Sequence, residues 1–294
     1  MKRTFIFYTA AFLLLASSAL AQENKTATIR SGETTEARAC RRRGLERFRT
    51  GRYEEALDAF KQAVGLNSGY AEAYNDLGMA YEKLGRSLEA LGAYQQAVEL
   101  KPDLATAHYN LGTARYHLKQ LPEAVKALRQ AIRLNPEYAW AHHNLGAAYY
   151  ELGQYAEAID ACRRAISLQP AWAEAHAQLA SVYAEQGQYR VAARALNEAI
   201  KLRPGWAEAH NSLGVASYYE GRLGRAVASF RRAVILRPDF AAAHFNLGAI
   251  SLVRREREVA QVEYQLLKSL DPQLADKLYD GLTSGMLLKV IDKQ

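Results

Sequence analysis

From Ala37 onward, apolar residues recur at spacings of three and four in paired stripes, the pattern of amphipathic helices. Across residues 71–84, Ala73, Tyr74, Leu77, Ala80, Tyr81 and Leu84 share one face, and Gly85 then breaks the run. Leu88, Leu91, Tyr94, Ala97 and Val98 form a second stripe. Pro102, with no N–H to donate, stops it. The predicted unit is a helical hairpin.

That hairpin repeats. Residues 37–274 divide without insertion into seven blocks of 34 residues: 37–70, 71–104, 105–138, 139–172, 173–206, 207–240 and 241–274. The third position is always Ala, from Ala39 to Ala243, and so is the twentieth, from Ala56 to Ala260. Pro102, Pro136, Pro170, Pro204, Pro238 and Pro272 recur at the thirty-second. Gly78, Gly112, Gly146, Gly214 and Gly248, with Ala180 standing in once, occupy the eighth position of the first helix. Gly inside a helix costs roughly 1 kcal/mol relative to Ala, so its recurrence predicts a close crossing with the Ala-bearing second helix. A single hairpin cannot bury both stripes, whereas stacked neighbours can.

Ala139 to Ala158 carries an aromatic, Leu-Gly, Tyr, Gly-x-Tyr and Glu-Ala in order. This signature resembles the tetratricopeptide repeat family. The resemblance implies an all-α, right-handed superhelical solenoid of seven helix-turn-helix hairpins, with ligands held on the concave side lined by first helices. Departures cluster at the ends: Arg43 and Arg47 replace apolar residues, Ser68 replaces Pro, Arg255 replaces Gly and Leu267 replaces Ala. Both end blocks read as caps. Residues 275–294 are expected to supply a C-terminal capping helix and tail, with Leu274, Leu278, Leu282, Leu287 and Leu288 apolar and Gly281 and Gly285 interrupting.

Composition changes the picture mainly at the N-terminus. Lys2 and Arg3 precede an apolar run and an Ala19-Leu20-Ala21 site, so residues 1–21 read as a cleaved signal peptide. An uncleaved anchor over Thr4 to Ala21 is the alternative. Residues 22–36 are polar and patternless and read as a flexible leader. An exported chain, periplasmic or extracellular, would fall from a formal charge of +7 to +5. Its basic balance then favours peptides or an anionic envelope surface over nucleic acid as partner. Cys40 and Cys162 lie in the first and fourth blocks, too far apart for a disulfide, and read as small core residues.

No catalytic motif is present: no His-Glu-x-x-His, Gly-x-Ser-x-Gly, Walker loop or Cys-x-x-Cys. His108, His142, His176, His210 and His244 recur every 34 residues. Neighbouring members would stand near 10 Å apart, too far to share an ion at metal–nitrogen distances of about 2 Å. Packing is their expected role. Arg38, Arg41, Arg42, Arg43, Arg47, Arg49 and Arg52 crowd the first block with Glu46 as the nearby acid. They read as a soluble end cap or as a contact for an anionic surface.

The family resemblance directs attention to the first-helix lining positions. The sixth position reads Arg42, Asp76, Asn110, Asn144, Gln178, Ser212, Asn246. A carboxamide both donates and accepts, so a row of them suits a peptide main chain regardless of its side chains. It is similar to the asparagine ladder of the O-linked N-acetylglucosamine transferase repeat region, here without a catalytic domain. A structural preference for Asn before Leu-Gly would produce the same row. Tyr109, Tyr116, Trp140, His143, Tyr150, Tyr218, Tyr219 and Phe245 fall at lining positions as candidate anchors. The expected function is a non-catalytic scaffold that needs no cofactor or metal and holds an extended peptide. A carbohydrate or cell-wall binder using the same aromatics is the alternative.

Overall fold

The computed structural model describes residues 34–284 together with 290 and 291. The expected signal peptide, most of the leader, and Gly285, Leu287 and Leu288 lie outside these residues. The described residues form fifteen helices and no strand, in two compact units divided after Pro136. The first unit holds α1 (34–49), α2 (Tyr53–Leu66), α3 (Ala71–Lys83), α4 (Ser87–Leu100), α5 (Ala105–His117) and α6 (Leu121–Leu134). The second begins with α7 (Ala139–Glu151), α8 (Tyr155–Leu168), α9 (Ala173–Glu185) and α10 (Tyr189–Leu202). It continues with α11 (Ala207–Tyr219), α12 (Leu223–Leu236), α13 (Ala241–Val253), α14 (Arg257–Leu270) and α15 (Pro272–Ser284).

Each first helix stops in the same way. Gly85 adopts φ +73°, its N–H donates to the Glu82 carbonyl at 3.0 Å, and the Arg86 N–H donates to the Tyr81 carbonyl at 2.9 Å. This pair satisfies carbonyls left open at the helix end. Gly recurs in this conformation at 51, 153, 187 and 221, but Lys119 and Arg255 hold it at φ 59° and 64°. A non-Gly residue there costs roughly 1–2 kcal/mol, of which Gly would give back about 0.5–1 kcal/mol through its freer unfolded chain. Lys119→Gly is therefore expected to raise the stability of the first unit, by at most about 1 kcal/mol. A lower urea midpoint for the variant, followed by circular dichroism, would show that the turn is unstrained.

The second helices end at an extended residue before the turn, such as Lys101 at φ −140°, ψ 84°. Proline disfavours helical backbone in the residue before it. Asn67 reaches the same geometry before Ser68, with its side chain accepting from the Gly69 N–H at 3.0 Å. The repeat thus keeps its turn where Pro is missing. Helix N-termini carry no side-chain cap from α2 to α14. Stability must then come from tertiary packing.

Within each unit every helix packs on the next, and first helices also meet across the intervening one, α3 on α5 and α7 on α9. The small eighth position makes room for a large residue of the second helix. A Cβ at Gly78 would stand 2.5 Å from the Tyr94 ring, one at Gly112 2.7 Å from Leu128 Cγ, and one at Gly146 2.8 Å from Cys162 Sγ. At Gly214 it would overlap the Phe230 ring. Gly44, unremarked in the sequence pattern, meets Phe60 in the same way at 2.5 Å. The close crossing with the Ala-bearing second helix is observed: Ala56, Ala90 and their counterparts are fully buried, and at Gly44, Gly78, Gly112, Gly146 and Gly214 the side chain filling the notch comes four residues after that Ala, whereas at Gly248 it is Leu278 of α15.

Two boundaries, one expected interruption and one stripe differ from expectation. α1 begins at residue 34, inside the segment read as leader. α15 begins at Pro272, inside the seventh block, because Asp271 Oδ1 accepts from the N–H groups of Gln273 and Leu274 at 3.0 and 3.1 Å. Pro at the first helical position needs no N–H partner, so the proline that follows other second helices here starts a helix. Gly281 does not interrupt α15, which runs to Ser284 with Gly281 buried. Leu88 is 70% exposed and leaves the second stripe of its repeat, in which Tyr94 and Ala97 are buried, Leu91 and Val98 pack on the core, and Ala90 and Ala93 join them.

Candidate functional site

Stacking brings the fifth position of one repeat against the sixth of the next. Arg41 Nε lies 2.5 Å from Asp76 Oδ2. Asn110 Nδ2 donates to Asn75 Oδ1 at 2.8 Å, Gln178 Nε2 to the His143 carbonyl at 3.2 Å, and Asn246 Nδ2 to Asn211 Oδ1 at 2.9 Å. The amide row is thus first a set of ties between repeats, the structural alternative for the row, with partners that the sequence reading did not name. Each tie uses one of two N–H protons on the carboxamide. Gln178 Oε1 is buried and has no hydrogen-bond partner, as is His143 Nδ1. Asn144 and Ser212 occupy the same position on α7 and α11, both half-buried.

Asn246 stands apart because its carboxamide is fully buried and fully used. Beyond its bond to Asn211, Nδ2 donates to the Ile291 carbonyl at 2.6 Å, and Oδ1 accepts from the Ile291 N–H at 2.6 Å. Phe245 is likewise no surface anchor. It is 3% exposed and packs in the cluster of Ala249, Leu267, Leu278 and Leu282 beneath α15. An aromatic at the lining position of the last first helix serves the cap.

The other aromatics form separate groups. In the first unit, Tyr109 is half-buried on α5. Tyr116 packs edge-on against His117 at 5.5 Å, with Lys119 Nζ 5.6 Å from its ring centre. In the second, Trp140 is 49% exposed and its ring lies 4.2 Å from that of buried Trp172, which also meets His143 at 4.5 Å. Burial pulls the His143 pKa below its usual value, so the ring is neutral at pH 7 and open to apolar contact. Tyr150 donates to Glu185 Oε1 at 3.3 Å and lies 6.1 Å from the Tyr155 ring. Tyr219, exposed, stacks on Tyr189 at 4.7 Å and meets Tyr218 edge-on at 5.2 Å.

The recurrent histidines have a shared task. Nε2 of His108, His176, His210 and His244 each faces the carbonyl of Pro102, Pro170, Pro204 and Pro238 respectively, at 2.9–3.0 Å. A ring N–H given to a carbonyl six residues back closes the turn between repeats. Cys40 and Cys162 are free and buried, and burial pushes the Cys162 thiol up to about 12. It is an inert packing group at neutral pH. The Arg-rich first repeat is more fully paired than Glu46 alone suggested. Besides Arg41 on Asp76, Arg47 and Arg52 lie 3.6 and 3.7 Å from Glu55, and Arg43 Nη2 is 3.0 Å from Cys40 Sγ.

This arrangement offers main-chain ligands amides and carbonyls, and side chains exposed rings. Tetratricopeptide repeat profiles match residues 41–105, 76–131, 178–239 and 217–273, with further profiles of the repeat at 113–153 and 139–171. The chain belongs to the tetratricopeptide repeat family. No curated protein matches it. Among solved structures it is similar to YrrB, a tetratricopeptide repeat protein described as having an unusual peptide-binding site. That likeness is 26% identity at a TM-score of 0.56, over 64% of this chain and 96% of that one. MamA from Desulfovibrio magneticus RS-1 is 25% identical at a TM-score of 0.54, over 57% and 96% of the two chains. PilF of Pseudomonas aeruginosa, 19% identical at a TM-score of 0.62 over 70% and 94%, shares the fold.

Sequence reasoning missed several members of this tetratricopeptide repeat face: Asn75 and Asn211, which pair with the row, and Trp172 and Tyr189, which complete the aromatic groups. A signal for the first two was available. Arg41 with Asp76, Asn75 with Asn110 and Asn211 with Asn246 are complementary pairs, all 35 residues apart. Trp172 and Tyr189 lie in the turn before one first helix and at the start of a second helix, outside the lining positions.

Proposed function

We propose that this protein is an exported, non-catalytic scaffold that holds an extended polypeptide segment against the first-helix face of its repeats. Tetratricopeptide repeat proteins characteristically serve as protein-interaction scaffolds, and the peptide-binding site named for YrrB supports the same use here. The observation that carries the reading is the ring platform on α7, where Trp140 is 49% exposed with its ring 4.2 Å from that of Trp172, and the neutral His143 ring lies 4.5 Å from the same Trp172. A peptide side chain can rest on such a platform, with Gln178, tied to the His143 carbonyl, on the neighbouring first helix. Export rests on the Lys2-Arg3, apolar and Ala19-Leu20-Ala21 pattern.

The test is selection of binders from a phage-displayed library of unstructured peptides on the full chain. Gln178→Ala with Trp140→Ala in the second unit should weaken the selected peptides at least tenfold, with helicity unchanged by circular dichroism. Asn110→Ala with Tyr116→Ala should do the same for peptides selected on the first. Undiminished capture in both double variants rejects the face as the binding surface. The stacked Tyr189–Tyr219 pair favours a second reading, a glycan ligand. Hits on a glycan array with no selected peptide would establish it instead.

A further inference from the structure

We infer that the α11–α13 end of the first-helix face is a peptide site already occupied by the chain's own residues Val290 and Ile291, and that an external peptide binds there by displacing them. The inference rests on the peptide-holding reading above and specifies both the ligand and its competitor.

Asn246 contacts Ile291 as it would contact a peptide. Its Oδ1 accepts from the Ile291 N–H and its Nδ2 donates to the Ile291 carbonyl, both at 2.6 Å. N–H and C=O of one residue face the same side only when the backbone is extended, so a single carboxamide reads an extended main chain at that point. Such pairing is blind to the side chain it grips. Asn211 Oδ1, held by the remaining Nδ2 proton at 2.9 Å, fixes the amide plane for this contact.

Side-chain preference comes from the surroundings. Val290 is 5% exposed, buried in the cluster of Val215, Phe230, Leu247 and Ile250. Ile291 packs beside Phe240 and Ala242. It also lines a cleft of about 470 Å³ that continues past it between Arg237, Asp239, Asp271 and Lys277. The site therefore takes an extended segment with two successive aliphatic residues, followed by polar or charged ones that reach the cleft. Val290 and Ile291 supply the two aliphatic residues.

The occupant is tethered, which sets its competitive strength. A short tether gives an effective concentration on the order of millimolar. A segment of intrinsic affinity near 100 μM would then be bound about nine-tenths of the time and weaken an external peptide roughly tenfold. Regulation follows directly: whatever draws residues 290–291 away opens the site.

The experiment compares the full-length chain with its Val290→Asp, Ile291→Asp variant, using a fluorescent synthetic peptide of residues 286–294 as probe. Anisotropy should show binding to the variant about tenfold or more tighter than to the unmodified chain. Adding Asn246→Ala to the variant, or both Asp changes to the probe, should abolish it. Because Val290 is buried, helicity is checked first. Should the variant be misfolded, exchange of the Ile291 amide in the unmodified chain is followed as excess probe is added. Faster exchange supports displacement and unchanged exchange overturns it. Equal affinity for both folded chains, or binding to neither, also overturns it. Library peptides still lost in the Gln178 and Trp140 variant would then leave the general reading standing without this one.

Discussion

Phe230→Ala is expected to cost the second unit about 3–5 kcal/mol, the range for removing a fully buried aromatic side chain. Phe230 is 0% exposed, and its ring fills the notch that Gly214 leaves in α11. Because α11 carries Gly there, nothing on the opposite wall can collapse into the void. The converse change, Gly214→Ala, gains helix propensity but drives a methyl into the ring, and overpacking of this kind costs about 1–3 kcal/mol. The fifth repeat shows how the conflict is resolved: Ala180 and Leu196 share one buried cluster at the corresponding positions. Gly214→Ala combined with Phe230→Leu should therefore be more stable than Gly214→Ala alone. Denaturant unfolding of Gly214→Ala, Phe230→Leu and the double variant checks this, and simple additivity of the two changes would show that the residues do not share the notch.

The second large effect lies at Glu263. His244 Nδ1 is 2.5 Å from Glu263 Oε2 while Nε2 is 2.9 Å from the Pro238 carbonyl, and both side chains are buried. Two acceptors on one imidazole require it to be protonated. Burial alone would lower its pKa, but the bonds to Glu263 and the Pro238 carbonyl outweigh burial and raise it. A His pKa raised by folding gives stability that is fully present below the unfolded value, about 6.5. That stability is lost as pH climbs through the folded value. The second unit should consequently weaken as pH rises past that point. Glu263→Ala should cost about 3–5 kcal/mol at pH 6, the penalty for stranding one member of a buried pair. Glu263→Gln should flatten the profile, because its amide can donate to the neutral ring. A pH-independent unmodified chain would remove the ion pair from the account.

Most of the architecture was legible because the period is strict. Recurrent Ala, Gly and Pro at fixed block positions locate every turn, and the helices end within a residue or two of where those positions place them. The repeat period carries less information at the ends. Asp271-Pro272 has the spacing of a closing turn, yet Asp can cap a helix and Pro can begin one, so α15 starts there. The binding face was half legible. Lining positions follow from the repeat, but whether an amide is spent on its neighbour depends on the residue 35 positions away. Asn110 and Asn246 look alike in the row. Asn246 is buried with its carboxamide bonded to Ile291, a contact 45 residues removed in sequence that no periodicity encodes. Trp140 gains its platform from Trp172, which lies between helices.

The decisive measurement is site-specific photocrosslinking of a library-selected peptide to the full chain. The photoreactive residue is placed in turn at first-helix positions Tyr116 and Tyr218 and at second-helix positions Arg194 and Ile235. The account predicts crosslinks from the first-helix positions alone. Crosslinks from Arg194 or Ile235, with none from Tyr116 or Tyr218, would contradict it.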